Sequence, residues 1–326
     1  MLSEALARYV ELHQSLGFKF RTQRLLLGNF VRFAEGHGDA FIRVARVLEW
    51  AVQAPSPPQR RNRLLTVRRL ALSLRAEDPR HEVPASDAIG RGLFERRTPH
   101  IYSPDDVTAL MRAATGLKPT GSIRPLAYST LFGLIAATGM RISEALALRL
   151  DDVTEDGLLI RETKFHKSRL LPLHDTTRRA LNAYLSVRRR LGTLDGALFV
   201  SNTGAAPAYP TVVATFLRLA RSIGLRGAPG ERGPRIHDLR HSFAVRSLES
   251  CRPDRDAVAR HIVALSTYLG HGHVTDTYWY LTGTAELLAW VVVMGAIGEK
   301  RGHSYGYAIC TDFRCGIGAV SWNLAA

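Results

Sequence analysis

The sequence predicts a mainly α protein with one small β-hairpin, an α+β class, and three observations carry that expectation. Apolar residues recur at three- and four-residue spacing over most of the chain, the period of helices that bury one face. Glycine and proline punctuate these stretches at helix-length intervals, as helix stops do. Only around the polar turn Lys164–Ser168 do two short strand patterns, Leu158–Arg161 and Leu170–Leu173, face one another as a hairpin.

The elements follow in order. Ser3 is placed to cap a first helix with Leu6, Tyr9, Val10 and Leu16 on one face, closed by Gly17, although His13 interrupts the stripe. A second helix runs from about Thr22, with Leu26, Phe30 and Phe33 at helical spacing, and fades at Gly36. A third covers roughly Phe41–Ala54 and stops at the proline-rich break of 55–58. The fourth, Arg60–Arg75, carries arginines 60, 61, 63, 68, 69 and 75 and no acid, beside an apolar stripe of Leu64, Val67, Ala71 and Leu74.

Residues 76–103 lose the helical period and carry prolines 79, 84 and 99, which reads as an inter-domain linker. Ser103-Pro104-Asp105-Asp106 then opens a second, mostly helical domain with a cap, a first-turn proline and acids at the positive end of the dipole. An apolar helix spans Leu126–Ala137, and after the hairpin further helices fall near 175–191, 210–223, 237–250 and 254–269. No internal repeat or low-complexity tract interrupts them.

At 326 residues the chain is long enough for two ordinary domains. A formal net charge of +15 points to a polyanionic partner, nucleic acid or an anionic membrane surface. The longest apolar run, around Leu287–Val293, falls well short of the roughly 20 residues that span a bilayer. No signal-peptide pattern opens the sequence, and three cysteines suit reduced thiols. The expectation is a cytoplasmic nucleic-acid-binding protein without a membrane partner. The arginine helix can then pack one face while Arg60, Arg61, Arg63, Arg68 and Arg69 lie along phosphates, which guanidinium meets with a bidentate fork.

Chemistry-bearing residues gather in the second domain. Arg141 follows a glycine turn at the entry to a helix, with Glu144 three residues on to orient its guanidinium. Lys164 stands at the tip of the hairpin, where a lysine with lowered pKa can donate a proton; Lys167 competes for that place. In His237-Asp238-Leu239-Arg240-His241, His237 and Arg240 share a helical face. His237 and His241, one turn apart, also fit a pair of metal ligands, without the glutamate a zinc protease needs. Tyr268-Leu269-Gly270-His271 turns a histidine outward, and Tyr278 and Tyr280 follow. Two arginines, a lysine, two histidines and a tyrosine, with no carboxylate cluster for magnesium, suit metal-free phosphoryl transfer in which guanidinium groups neutralise charge.

The order Arg141, Lys164, His237-x-x-Arg240, His271, then Tyr280 nine positions later, resembles the tyrosine recombinase, or phage integrase, family. The stretches TGMRISEALAL, KFHKSRLLPL, HDLRHSFA and YLGH are similar to its signatures. The likeness covers about 103–285, and the basic, helical first hundred residues resemble the family's core-binding domain. It implies a core-binding domain at 1–80, a linker at 81–102 and a mixed, integrase-type catalytic domain at 103–285, together forming a clamp on DNA. Residues 286–326, with Cys310 and Cys315, depart from the pattern as a divergent tail.

The resemblance also implies roles. Tyr280 attacks a DNA phosphodiester to form a 3′-phosphotyrosyl link, and Lys164 protonates the leaving 5′-oxygen. Arg141 and Arg240 hold the non-bridging oxygens, His237 assists proton transfer at the tyrosine, and His271 hydrogen-bonds the phosphate. The nine-residue offset favours Tyr280 over Tyr278, and alignment on Arg-Leu-Leu-Pro-Leu favours Lys164 over Lys167. Partners would be double-stranded DNA and three further copies, a tetramer on DNA and a monomer without it. No cofactor or metal is required, and the element moved could be a phage or a transposon. Three other readings stay open: a type IB topoisomerase, a silent DNA-binding protein on the same fold, and a metal-dependent hydrolase built on His237, Asp238 and His241.

Overall fold

The computed structural model describes residues 1–90, 97–161, 168–191, 196–251, 255–282 and 287. The chain divides into two compact units, Met1–Arg97 and Thr98–Ala326. It is mostly helical, with one two-stranded sheet among the described residues.

The first unit holds α1 (Leu2–Ser15), α2 (Arg21–Gly36), α3 (Val44–Val52) and α4 (Pro57–Glu77) around a core that includes Val10, Phe30, Trp50, Val67 and Leu74. Helix α1 begins one residue before Ser3, with Met1 as its N-cap, because Leu2 is drawn into the core. Leu16, expected on the buried face, lies beyond the last turn and is exposed. His13 is accommodated by its Nδ1 at 2.9 Å from the Tyr9 carbonyl and by stacking on Phe20.

Helix α3 starts at Val44, three residues later than the apolar pattern suggests. The backbone N–H of Ile42 donates to His81 Nδ1 at 3.1 Å, and that of Val44 donates to Glu82 Oε2 at 2.7 Å. These bonds hold the approach to the helix extended and put a carboxylate at its positive end. The residues supplying them follow α4, in the stretch read from sequence as linker. There Glu82 N–H also donates to the Ile42 carbonyl at 2.8 Å, and Val83 and Ile89 pack on the helical core. Residues 81–90 are therefore tied to the first unit rather than strung out from it.

In the second unit, α5 (Pro104–Thr115) opens with a reciprocal capping box. Asp106 N–H donates to Ser103 Oγ at 3.0 Å and Ser103 N–H to Asp106 Oδ2 at 2.8 Å. Helix α6 (Ile123–Thr138) is buried on nearly every face, as a helix apolar all round must be. It packs against α5, α8 (Asp175–Arg190) and α10 (Asp238–Glu249). Each large apolar side chain it fully buries, such as Phe132, contributes about 1.5–3 kcal/mol relative to exposure. Helix α7 (Ile142–Ala147) follows, then β1 (Leu158–Ile160) and β2 (Arg169–Leu171), antiparallel with Leu159 opposite Leu170. After α9 (Tyr209–Ser222), α11 (Arg255–Leu269) and the short α12 (Thr275–Tyr278) come last among the described helices, α12 running on into a 3-10 turn at Trp279–Thr282. Helices α10 and α11 share a core cluster with Tyr280 and Leu281, so this 3-10 turn is anchored by its own side chains.

Candidate active site

The site forms where four chain segments end. Helix α6 stops at Gly139, whose φ of 62° is a left-handed C-cap that glycine takes without strain. That turn sets Arg141 at the N-cap of α7, where Glu144 Oε2 accepts its backbone N–H at 2.9 Å. Strand β2 contributes Arg169, α10 contributes Arg240, and α11 ends at Leu269.

Three arginines converge on the end of α11. Arg169 Nε donates to the Tyr268 carbonyl at 2.7 Å, and Arg240 Nη2 donates to Leu269 O at 2.8 Å. Arg141 Nη2 donates to Gly270 O at 3.1 Å. The last carbonyls of a helix have no partner within it and carry the negative end of its dipole. Here guanidinium groups satisfy them. Glu144, buried, takes Arg141 Nη1 and Arg169 Nη2 at 2.7 Å each. Burial pushes its carboxyl upward, but Arg169 and then Arg141 outweigh that and hold it below the usual range.

Arg240 is 1% exposed and both of its terminal nitrogens are engaged. Nη1 donates to Gly139 O at 2.8 Å, and Nη2 also reaches His271 Nε2 at 2.9 Å. Burial and the neighbouring Arg141 press against its charge, while the nearby Tyr280 phenol and Glu144 act the other way. Because a guanidinium only donates, His271 Nε2 is the acceptor and the ring proton sits on Nδ1. Nδ1 lies 2.8 Å from Thr277 Oγ1, which takes that proton's hydrogen bond. Burial first, then Arg240 and Arg141, lower the His271 pKa to about 4.

Tyr280 is buried, its ring stacked 5.8 Å from His271 at 19° and 5.2 Å from His241 in an edge-to-face arrangement. Tyr278, two residues earlier, is 50% exposed. His237, at the N-cap of α10, reaches solvent but stands in a recess dense with protein atoms, which with Arg240 lowers its pKa. Its ring meets His241 at 5.0 Å and 90°. His241 Nδ1 is buried without a hydrogen-bond partner, and burial followed by His237 lowers its pKa to about 4.

The structure thus brings Arg141, Arg240, His271 and Tyr280 together, with His237 at the rim next to His241. Lys164 and its competitor Lys167 lie outside the described residues, as do Cys310 and Cys315. Glu144 was named from sequence as a partner of Arg141; Arg169, Thr277 and His241 as neighbours of the cluster were not. The hydrolase arrangement is not formed: Asp238 is buried and turned to Arg235, whose Nη2 it accepts at 2.8 Å. Among the described residues no group of three or more His, Cys, Asp or Glu is placed to hold a metal.

The arginine helix is less uniform than its sequence. Arg60 Nε donates to Ala54 O at 2.8 Å, and Arg63 donates to Trp50 O at 2.9 Å while its guanidinium lies 4.6 Å from the Trp50 ring centroid. Arg68 donates to the Pro84 carbonyl. Arg61 is half-buried, and Arg69 and Arg75 are exposed. Among the described residues no helix is long and apolar enough to cross a membrane.

The model of the phage integrase family matches residues 101–286. The chain is 40% identical over 300 residues, 87% of its length and 94% of the relative's, to y4rB of Sinorhizobium fredii, which is named for integrase/recombinase activity. It is 32% identical over 234 residues, 70% of each chain, to the tyrosine recombinase XerD of Caulobacter vibrioides. The fold is similar to a lambda integrase tetramer bound to a Holliday junction, with a TM-score of 0.59 at 17% identity over 86% of this chain and 76% of that one. The chain belongs to the phage integrase family, as a tyrosine recombinase.

Proposed function

We propose that this recombinase cuts and rejoins DNA strands at specific sites through a phosphotyrosyl bond at Tyr280, without a metal ion. The observation that carries the assignment is the packing of the Tyr280 ring against His271, whose Nε2 is held by Arg240 of the arginine cluster. A phosphodiester seated there would meet guanidinium donors in place of metal charge. Arg141, the more open of the two, and Arg240 would hold the non-bridging oxygens. Attack by the Tyr280 oxygen makes a tyrosine–phosphate bond and breaks the bond to the 5′-oxygen. The leaving oxygen takes a proton from Lys164, and His237 assists removal of the phenolic proton. Resealing runs the same step backwards with another strand's 5′-hydroxyl, so no ATP is consumed.

Four tyrosines acting on two duplexes imply a tetramer on DNA and a monomer without it, in line with the tetrameric lambda integrase of similar fold. The cytoplasm suits a DNA-acting enzyme of this kind. Arg61 and Arg69 are the residues of α4 best placed to meet phosphates, while Arg60, Arg63 and Arg68 each commit one donor to a backbone carbonyl and would meet phosphate with the others. The integrase and recombinase relatives favour strand exchange over topoisomerase-like relaxation.

The test is a nicked suicide substrate built from the protein's genomic flanks, incubated with EDTA. A covalent adduct on denaturing gels that disappears in Tyr280→Phe is expected. An adduct that survives in Tyr280→Phe moves the nucleophile to Tyr278. Tight DNA binding without any adduct identifies a silent binder.

A further inference from the structure

Thr277 lies on the segment that carries the nucleophile, three residues before Tyr280, and is fully buried. Its Oγ1 is 2.8 Å from His271 Nδ1, while His271 Nε2 is engaged by Arg240 at 2.9 Å. The two ends of one imidazole therefore join the tyrosine segment to the guanidinium cluster. A hydroxyl can serve either state of that ring, since it both donates and accepts.

The two states matter because the ring faces opposite demands. With Arg240 donating into Nε2, the proton must be on Nδ1 and Thr277 accepts. On the reading that this cluster binds a scissile phosphate, the phosphate draws Arg240's donors to its own oxygens. His271 can then contribute by donating from Nε2, which in the neutral ring leaves Nδ1 as a bare acceptor. Thr277 can turn its hydroxyl and donate to it. The net change is one proton gained at Nε2 from water and one released from Nδ1 to water, so the ring's charge is the same before and after.

We propose that Thr277 is a positioning residue for His271, its hydroxyl holding the Nδ1–H form while Arg240 occupies Nε2 and reversing its hydrogen bond when a phosphate takes Arg240's place. Valine at 277 would fill nearly the same volume with no polar atom, so neither form of the ring is supported. An unpaired ring nitrogen in a buried site would then tilt or turn the imidazole.

Nitrogen NMR of histidine-labelled full-length protein tests this without any DNA, His271 being assigned by the resonance lost in His271→Gln. The wild type should show a protonated Nδ1 and an unprotonated Nε2. Thr277→Val should shift both resonances towards a mixture, and Thr277→Ser should restore the wild-type pattern. In suicide-substrate cleavage, Thr277→Val should be slower by about ten- to a hundredfold at unchanged DNA affinity, with Thr277→Ser close to wild type. Wild-type nitrogen shifts in Thr277→Val would overturn the proposal whether or not any adduct forms. So would full-speed cleavage by that variant, which would leave the recombinase reading standing. Loss of adduct in every form of the protein, with the NMR pattern as expected, would sink the recombinase reading and leave Thr277 as the group that sets the His271 tautomer.

Discussion

Glu144 and Arg169 stand 25 residues apart in sequence and meet face to face, Arg169 Nη2 to Oε2 at 2.7 Å and Nη1 to Oε1 at 3.2 Å. The same carboxylate holds Arg141. Replacing Glu144 with glutamine would keep the shape and leave two guanidinium groups facing each other without a counter-charge. A loss of about 3 kcal/mol in folding stability is expected, as for breaking a buried ion pair. Urea unfolding of Glu144→Gln checks it, and a loss below about 1 kcal/mol would show the carboxylate to be dispensable.

Gly139 combines a positive φ with a tight fit. A Cβ there would stand 2.4 Å from Phe243 Cδ1, and the residue's carbonyl receives Arg240. Gly139→Ala should therefore cost about 2–4 kcal/mol from left-handed strain and overpacking. It should slow cleavage as well, by displacing Arg240. Phe243→Ala added to it relieves the clash, so the double variant should be more stable than additivity predicts.

Arg240→Lys should fold and fail. A lysine offers a point charge, whereas Arg240 spreads its donors over Gly139 O, Leu269 O and His271 Nε2. Single-turnover cleavage should drop at least about a hundredfold, with melting temperature changed by only a few degrees. Cleavage within threefold of wild type would remove Arg240 from the chemistry.

The lowered pKa values of His241 and His271 bear on acid stability. Both sit near 4 in the folded protein, against an ordinary value of 6.5. The unfolded chain binds these protons first, so the stability they confer is complete above pH 6.5 and is lost as pH falls from there towards 4. Melting temperature should decline over that window. In His241→Phe, which keeps a ring and removes one titration, the decline should be shallower; an identical slope would count against the burial of His241.

On α4, exposure separates two kinds of arginine. Arg69→Ala should reduce the slope of log affinity against log salt by about 1 and leave stability unchanged. Arg63→Ala should instead cost about 1 kcal/mol of stability through its Trp50 contacts. Equal effects of the two on salt dependence would show that Arg63 also meets phosphate with its remaining donors.

Much of this was legible in the residues themselves. The Ser103-Pro104-Asp105-Asp106 start works through local bonds, and the hairpin through local alternation, so both are written in adjacent letters. Likewise Arg141, Arg240, His271 and Tyr280 sit in stretches whose resemblance to the phage integrase family already implied a common site. What stayed hidden depends on distant chain. Arg169 belongs to the site because β2 passes the end of α11, and Thr277 because the tyrosine segment folds back on His271. Glu82 trims the start of α3 from 38 residues away. The arginines of α4 look equivalent as letters and differ only once Trp50, Ala54 and Pro84 offer some of them carbonyls.

The three carbonyls at the end of α11 make that helix a ruler. Each residue of an α-helix advances the end by about 1.5 Å and rotates it by about 100°. Deleting or inserting a single residue anywhere between Arg255 and Leu269 would swing Tyr268, Leu269 and Gly270 away from three arginines at once. A change of a whole turn would restore the direction of the carbonyls but move them by about 5.4 Å, out of the arginines' reach. Among related chains that differ freely in loops, the distance from the start of α11 to His271 should be one interval that insertions and deletions avoid.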